Sequence, residues 1–148
     1  MSVHTLFWLI LIISWITIIF IKKKKVKRFM PAALFTAISS GVIYQIGNEL
    51  KFWTIKDAIY SLLAYGPLPV AALWILRFTY GRFWLYAIVN AILDLGFAFL
   101  VFPWCGKIGV LGVGPWTGLI VYIINFIHAM LIYGYQMWQE HIFIRSEE

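Results

Sequence analysis

Charge is scarce in this chain. Only 12% of its 148 residues are charged, while 63% are hydrophobic and the mean hydropathy is +0.88. A soluble domain carries roughly 25% charged residues. No stretch outside the apolar runs is long enough to hold a water-soluble core, so one domain, 1–148, is expected. Cysteine is nearly absent. The single Cys105 excludes an internal disulfide and a dithiol redox motif. Histidine numbers three, and acidic residues six.

Apolar and aromatic residues are abundant. The chain holds 8 Trp, 8 Tyr and 12 Phe; Trp and Tyr favour helix ends at both membrane interfaces. Five apolar runs, about 3–21, 29–50, 58–76, 83–103 and 116–138, are each long enough to cross the hydrocarbon core as a helix. The expected fold is an all-α membrane protein, a bundle of five transmembrane helices. The basic residues follow the first run rather than precede it, so that run reads as a retained helix and not a cleaved signal. Pro31 suits the first turn of the second helix. In that helix Ala37, Gly41, Tyr44, Gln45 and Asn48 form a small and polar stripe of the kind that faces other helices. The third helix should be broken at Gly66-Pro67-Leu68-Pro69. Each proline lacks an N–H and presses on the carbonyl four residues back, which frees the C=O groups of Leu63 and Tyr65. Lys51–Asp57 and the Gly-rich Trp104–Pro115 read as loops outside, the latter as an interfacial turn or a short re-entrant loop, with Trp53 at the interface.

Orientation follows from the cationic residues. Lys22, Lys23, Lys24, Lys25, Lys27 and Arg28 supply half of the 12. Placing the N-terminus outside and the C-terminus in the cytoplasm puts nine of the 12 inside, against Lys51, Lys56 and Lys107 outside. Without the Lys22–Arg28 cluster the two sides balance, so the cluster sets the orientation. Its location beside a span implies contact with anionic lipid headgroups rather than nucleic acid.

Asp94 lies near the middle of the fourth run. A charge at the bilayer centre costs ~2.5–3.5 kcal/mol on insertion scales, so something must offset that cost or the group must stay protonated, and its presence needs a reason beyond packing. Asn90 is one turn away on the same face, Tyr86 one turn further, and Ala87, Ala91 and Ala98 lie beside them. Leu85, Val89, Ile92 and Phe99 occupy the other side. The fifth helix carries Gly118, Tyr122, Asn125, Ala129 and Gln136 on one stripe, with His128 next to it. By span counting, Asp94, Asn125, His128 and the Gly66-Pro67 break share one depth. Two readings compete: these groups hydrogen-bond one another and hold the bundle together, or they form a site for a ligand or a proton. Taken alone, His128, Asn90 and Asn125 suit the first, because a neutral imidazole or amide is cheap to bury; Asp94 favours the second.

Other chemistries lack parts. His4, His128 and His141 fall outside, in the core and inside, too far apart for one metal, and a haem bridging two helices needs two histidines at depth. Gly106, Gly109, Gly112 and Gly114 do not follow the nucleotide-loop order. Ser39 and Ser40 have no base at helical reach, and Cys105 has none nearby in sequence. No cofactor or metal is expected.

The segment Arg77-Phe78-Thr79-Tyr80-Gly81-Arg82-Phe83-Trp84, continuing through Asn90 and Asp94, resembles small uncharacterised integral membrane proteins of Bacillus-type bacteria. The resemblance covers about Trp74 to Pro103. It implies a bacterial cytoplasmic membrane and transfers no activity or site residue. The leading expectation is a non-enzymatic protein that binds a partner or small ligand in the bilayer through Asp94, His128, Asn90, Asn125, Tyr86, Tyr122, Gly66 and Pro67. The alternatives are a small oligomeric proton-coupled transporter using Asp94, and a membrane enzyme acting on a lipid or isoprenoid. Partners would be the bilayer itself and a second copy or another membrane protein.

Overall fold

In a computed structural model, residues 1–141 are described, so the expected tail with Arg145 lies largely outside the described residues. Five helices are long and apolar enough to span a membrane: Val3–Phe20, Lys23–Glu49, Ala58–Thr79, Phe83–Lys107 and Thr117–Gln139. The first comprises α1 (Val3–Ile16) and a closing 3-10 turn. Ser2 caps it, its Oγ accepting the Thr5 N–H at 3.1 Å. The second, α2 (Lys23–Glu49), starts earlier than expected. Lys and Arg are good helix formers, and their long side chains reach water from a helix start. The basic cluster is therefore helical, and Pro31 sits within α2 rather than at its first turn.

The third span holds a 3-10 turn at Ala58–Ser61, α3 (Leu62–Tyr65) and α4 (Pro67–Thr79). Gly66 between them takes φ −118° and ψ −89°. Pro69 cannot donate to the Tyr65 carbonyl, and that oxygen instead accepts the Trp15 indole N–H from the first span at 2.8 Å. A Cβ on Gly66 would lie 2.9 Å from the Leu11 Cα, so glycine is what lets the first and third spans touch.

The fourth span is α5 (Phe83–Gly96), a wide π turn over Phe97–Val101 and α6 (Phe102–Lys107). It runs four residues past the expected end at Pro103. A regular turn would press the Pro103 ring against the Phe99 carbonyl; instead the Phe102 N–H reaches back to the Phe97 oxygen, and the widened turn lets the helix continue. Two short strands, β1 (Thr54–Ile55) and β2 (Leu111–Gly112), pair antiparallel, with Thr54 opposite Gly112. They join the loops after the second and fourth spans at one end of the bundle. α7 (Thr117–Gln139) completes it.

α2 touches α4 and α7, and α5 touches α4 and α7, so these four helices close a ring. α1 lies outside it against α3 and α4. The described residues pack into two cores. One, at the β-ribbon end, contains Phe7, Tyr44, Trp53, Tyr60, Phe102 and Leu111. Trp53 is thus buried rather than interfacial, its indole N–H donating to the Tyr44 carbonyl at 3.2 Å. The other core contains Phe29, Leu73, Leu76, Tyr86 and Tyr133, at the end where the basic cluster lies.

Candidate functional site

Between the two cores the helix ring encloses a cavity of about 200 Å³. All four ring helices contribute: Ser40 and Tyr44 from α2, Ala71 and Ala72 from α4, Tyr86, Asn90 and Asp94 from α5, Asn125 and His128 from α7. Five of the eight residues singled out in the sequence therefore converge. Three do not. Gly66 and Pro67 are not on the wall; Gly66 instead serves the close approach of Leu11. Tyr122 is half-buried against the core at the β-ribbon end. The buried face of α2 is also rotated from the expected stripe: Ala33, Thr36, Ser40, Tyr44 and Gly47 point inward, while Gln45 is exposed and bonds Glu49.

Several wall groups already have partners. Asn90 donates its amide to the Tyr86 carbonyl at 2.8 Å, and the Tyr86 hydroxyl donates to the Ala129 carbonyl at 2.7 Å. The second bond ties α5 to α7. His128 does not pair with Asp94 or either asparagine. Its Nε2 is 2.6 Å from Ser39 Oγ, which also lies 2.6 Å from the Phe35 carbonyl oxygen. A hydroxyl has one hydrogen, and the Phe35 carbonyl takes it, so Nε2 carries the ring proton and donates to Ser39. Nδ1 is left as an acceptor. Ser39 thus has an imidazole beside it, supplied from another helix, but the nitrogen that faces it is protonated and is not a base toward it; helical spacing alone could not reveal this neighbour. Its hydroxyl is committed to the backbone and it is not on the cavity wall, so this pair is a brace between α2 and α7 rather than a nucleophile with its base.

Other wall atoms are unsatisfied. Asp94 Oδ2, Ser40 Oγ and the Tyr44 hydroxyl are buried without a hydrogen-bond partner. Tyr44 and Tyr60 lie 5.0 Å apart between ring centroids and bring their hydroxyls near each other without closing a hydrogen bond. Buried polar atoms in native proteins are nearly always paired, and each one left over costs ~1–3 kcal/mol. Three such atoms lie on one wall. Among the described residues no group of three or more His, Cys, Asp or Glu side chains is arranged to hold a metal.

The cluster at the basic end behaves differently. The Arg28 guanidinium pairs with Glu140 through Nε and Nη2, and lies over the Phe29 and Tyr80 rings at 5.2 and 4.9 Å. Gln136 donates to the Arg28 carbonyl and to Glu140, both at 3.1 Å. Burial pushes the Glu140 carboxyl up, and the hydrogen bonds from Arg28, Tyr80 and Gln136, with the charge of Arg28, together outweigh it, leaving the group below the ordinary glutamate value. Arg28 is thus engaged inside the protein, unlike the exposed Lys22, Lys23, Lys24 and Lys27, while Lys25 leans over the Phe29 ring at 6.0 Å. At the opposite end His4 Nε2 meets Asp57 Oδ2 at 2.7 Å. The Ile59 N–H and then His4 hold the Asp57 carboxyl below its ordinary value.

Five spanning helices around a partly polar interior define a multi-pass membrane protein. No protein-family model, curated protein or solved structure matches the chain.

Proposed function

We propose that this protein binds a small guest within the bilayer, in the cavity enclosed by α2, α4, α5 and α7, and does so without catalysing a reaction on it. The observation that carries the reading is the set of three buried oxygens on one wall, from Ser40, Tyr44 and Asp94, that close no hydrogen bond with any described residue. A guest with polar hydrogens would complete them. Helix-to-helix bonding alone does not account for the cluster, because Asn90, Tyr86 and His128 find other partners and leave Asp94 unpaired. The wall residues Ala71 on α4 and Leu93 on α5 are exposed, which supports a mouth between those helices on the lipid side. An engineered apolar cavity of ~150 Å³ admits benzene, so this space suits one ring or a lipid-sized headgroup fragment.

The membrane is read as a bacterial cytoplasmic one, with the β-ribbon end outside and Lys22–Lys27 inside against anionic headgroups. The β ribbon between the two loops supports placing both on one side. The binding reading is tested by extracting small molecules from the purified protein and from Ala71→Phe, which should plug the mouth. A compound retained by the wild type in near-stoichiometric amount and lost in the variant is expected. Identical extracts from both proteins would remove the reading.

A further inference from the structure

We infer that the guest is a small organic ammonium ion, its charged nitrogen against Asp94 and its apolar part toward the α4–α5 mouth. This inference rests on the binding reading above and adds the chemical class. Charge complementarity carries it. Among the described residues Asp94 is the one acidic group on the wall, and no Lys or Arg lines the cavity. An ionised carboxylate at this depth needs a counter-charge, and a mobile cation from outside the protein is the one that the wall leaves room for. The unsatisfied atoms are of the matching kind. An ammonium group has two or three hydrogens to donate and no lone pair, and Asp94 Oδ2, Ser40 Oγ and the Tyr44 oxygen are all able to accept. Ser40 and Tyr44 are 3% and 6% exposed, so bulk water does not serve them. Tyr44, Tyr86 and Phe97 add aromatic faces to the same wall, which favour organic cations. A bare metal ion fits poorly, since no cluster of three ligating side chains is present among the described residues and the cavity is much wider than one ion.

The experiment compares two molecules of nearly equal shape, 2-phenylethylammonium and 2-phenylethanol. Each is dialysed at pH 7 against the full chain in phosphatidylcholine nanodiscs, with empty nanodiscs subtracted. The wild type is expected to bind the ammonium at least about tenfold more tightly than the alcohol. Asp94→Asn should erase that preference, and Ala71→Phe should lose both molecules. Equal binding of the two by the wild type, both abolished by Ala71→Phe, overturns the ammonium class and leaves the cavity as a site. Binding of neither molecule overturns the ammonium class and counts against the cavity as well. A preference that survives in Asp94→Asn overturns the assignment of Asp94. The wild-type comparison decides the class by itself if Asp94→Asn does not fold.

Discussion

The polar cluster at Arg28 and the polar cluster at Asp94 use similar residues to opposite ends. Around Arg28, both charged groups are paired, a glutamine amide bridges them, and two aromatic rings cover the guanidinium. Among the described residues the amide oxygens of Gln136 and Gln139 accept no hydrogen bond, but both charges are paired. Around Asp94, the carboxylate is the group left over, beside two unpaired hydroxyls and a cavity. A cluster whose charges are paired holds helices together, and its removal weakens the fold. An unsatisfied one costs the empty protein stability and is explained by what enters it.

That contrast can be broken at either cluster. The largest effect is expected from Arg28→Ala, which strands Glu140 half-buried. Loss of ~2 kcal/mol is expected in detergent unfolding, below the cost at a fully buried pair because the Arg28 side chain is 39% exposed. Next comes Ser39→Ala, which leaves the His128 N–H without an acceptor and should cost ~1 kcal/mol. A stability change near zero there would mean that His128 is not bracing α2 against α7.

The Glu140 pair also has a pH signature. Its carboxyl is held below the ordinary value of 4.5, so the stabilisation is present above that pH and fades as the pH falls through the folded value. Melting temperature should therefore drop less steeply below about pH 4.5 in Glu140→Gln than in the wild type. Asp57 titrates in the same acid range in both proteins, so the difference between them reports Glu140. The smallest effects belong to the cavity. Ser40→Ala and Tyr44→Phe each remove an unpaired oxygen and should raise the stability of the empty protein, by up to ~1 kcal/mol. Losses of 1 kcal/mol or more would show that these hydroxyls are already satisfied, and the two clusters would then be alike.

Much of this was legible in the sequence for identifiable reasons. Long apolar runs gave five helices because length and hydropathy alone decide whether a segment can cross a membrane. Helical spacing correctly set Tyr86, Asn90 and Asp94 on one face, and depth counting brought in Asn125 and His128. What escaped depended on contacts between helices. The Ser39–His128 bond links residues far apart in sequence, and nothing local to either announces the other. The same holds for Arg28, whose partner Glu140 lies at the far end of the chain. Gly66 and Pro67 were expected near the site because broken helices often supply ligand contacts; here the glycine admits Leu11 instead. Pro103 was read as a helix end, but five-residue spacing in the preceding turn absorbed it.

The β ribbon has a mechanical meaning. With Thr54 and Ile55 paired to Gly112 and Leu111, and with Arg28 joined to Glu140, the ring is clasped near both rims; at its waist α7 is tied to α2 and to α5, while among the described residues no side-chain hydrogen bond joins α4 to α5. A ring held in this way yields by α4 and α5 bowing apart in the middle. Guest exchange would then be governed by the lateral pressure of the surrounding acyl chains, quickening in thin or loosely packed bilayers and slowing in tightly packed ones.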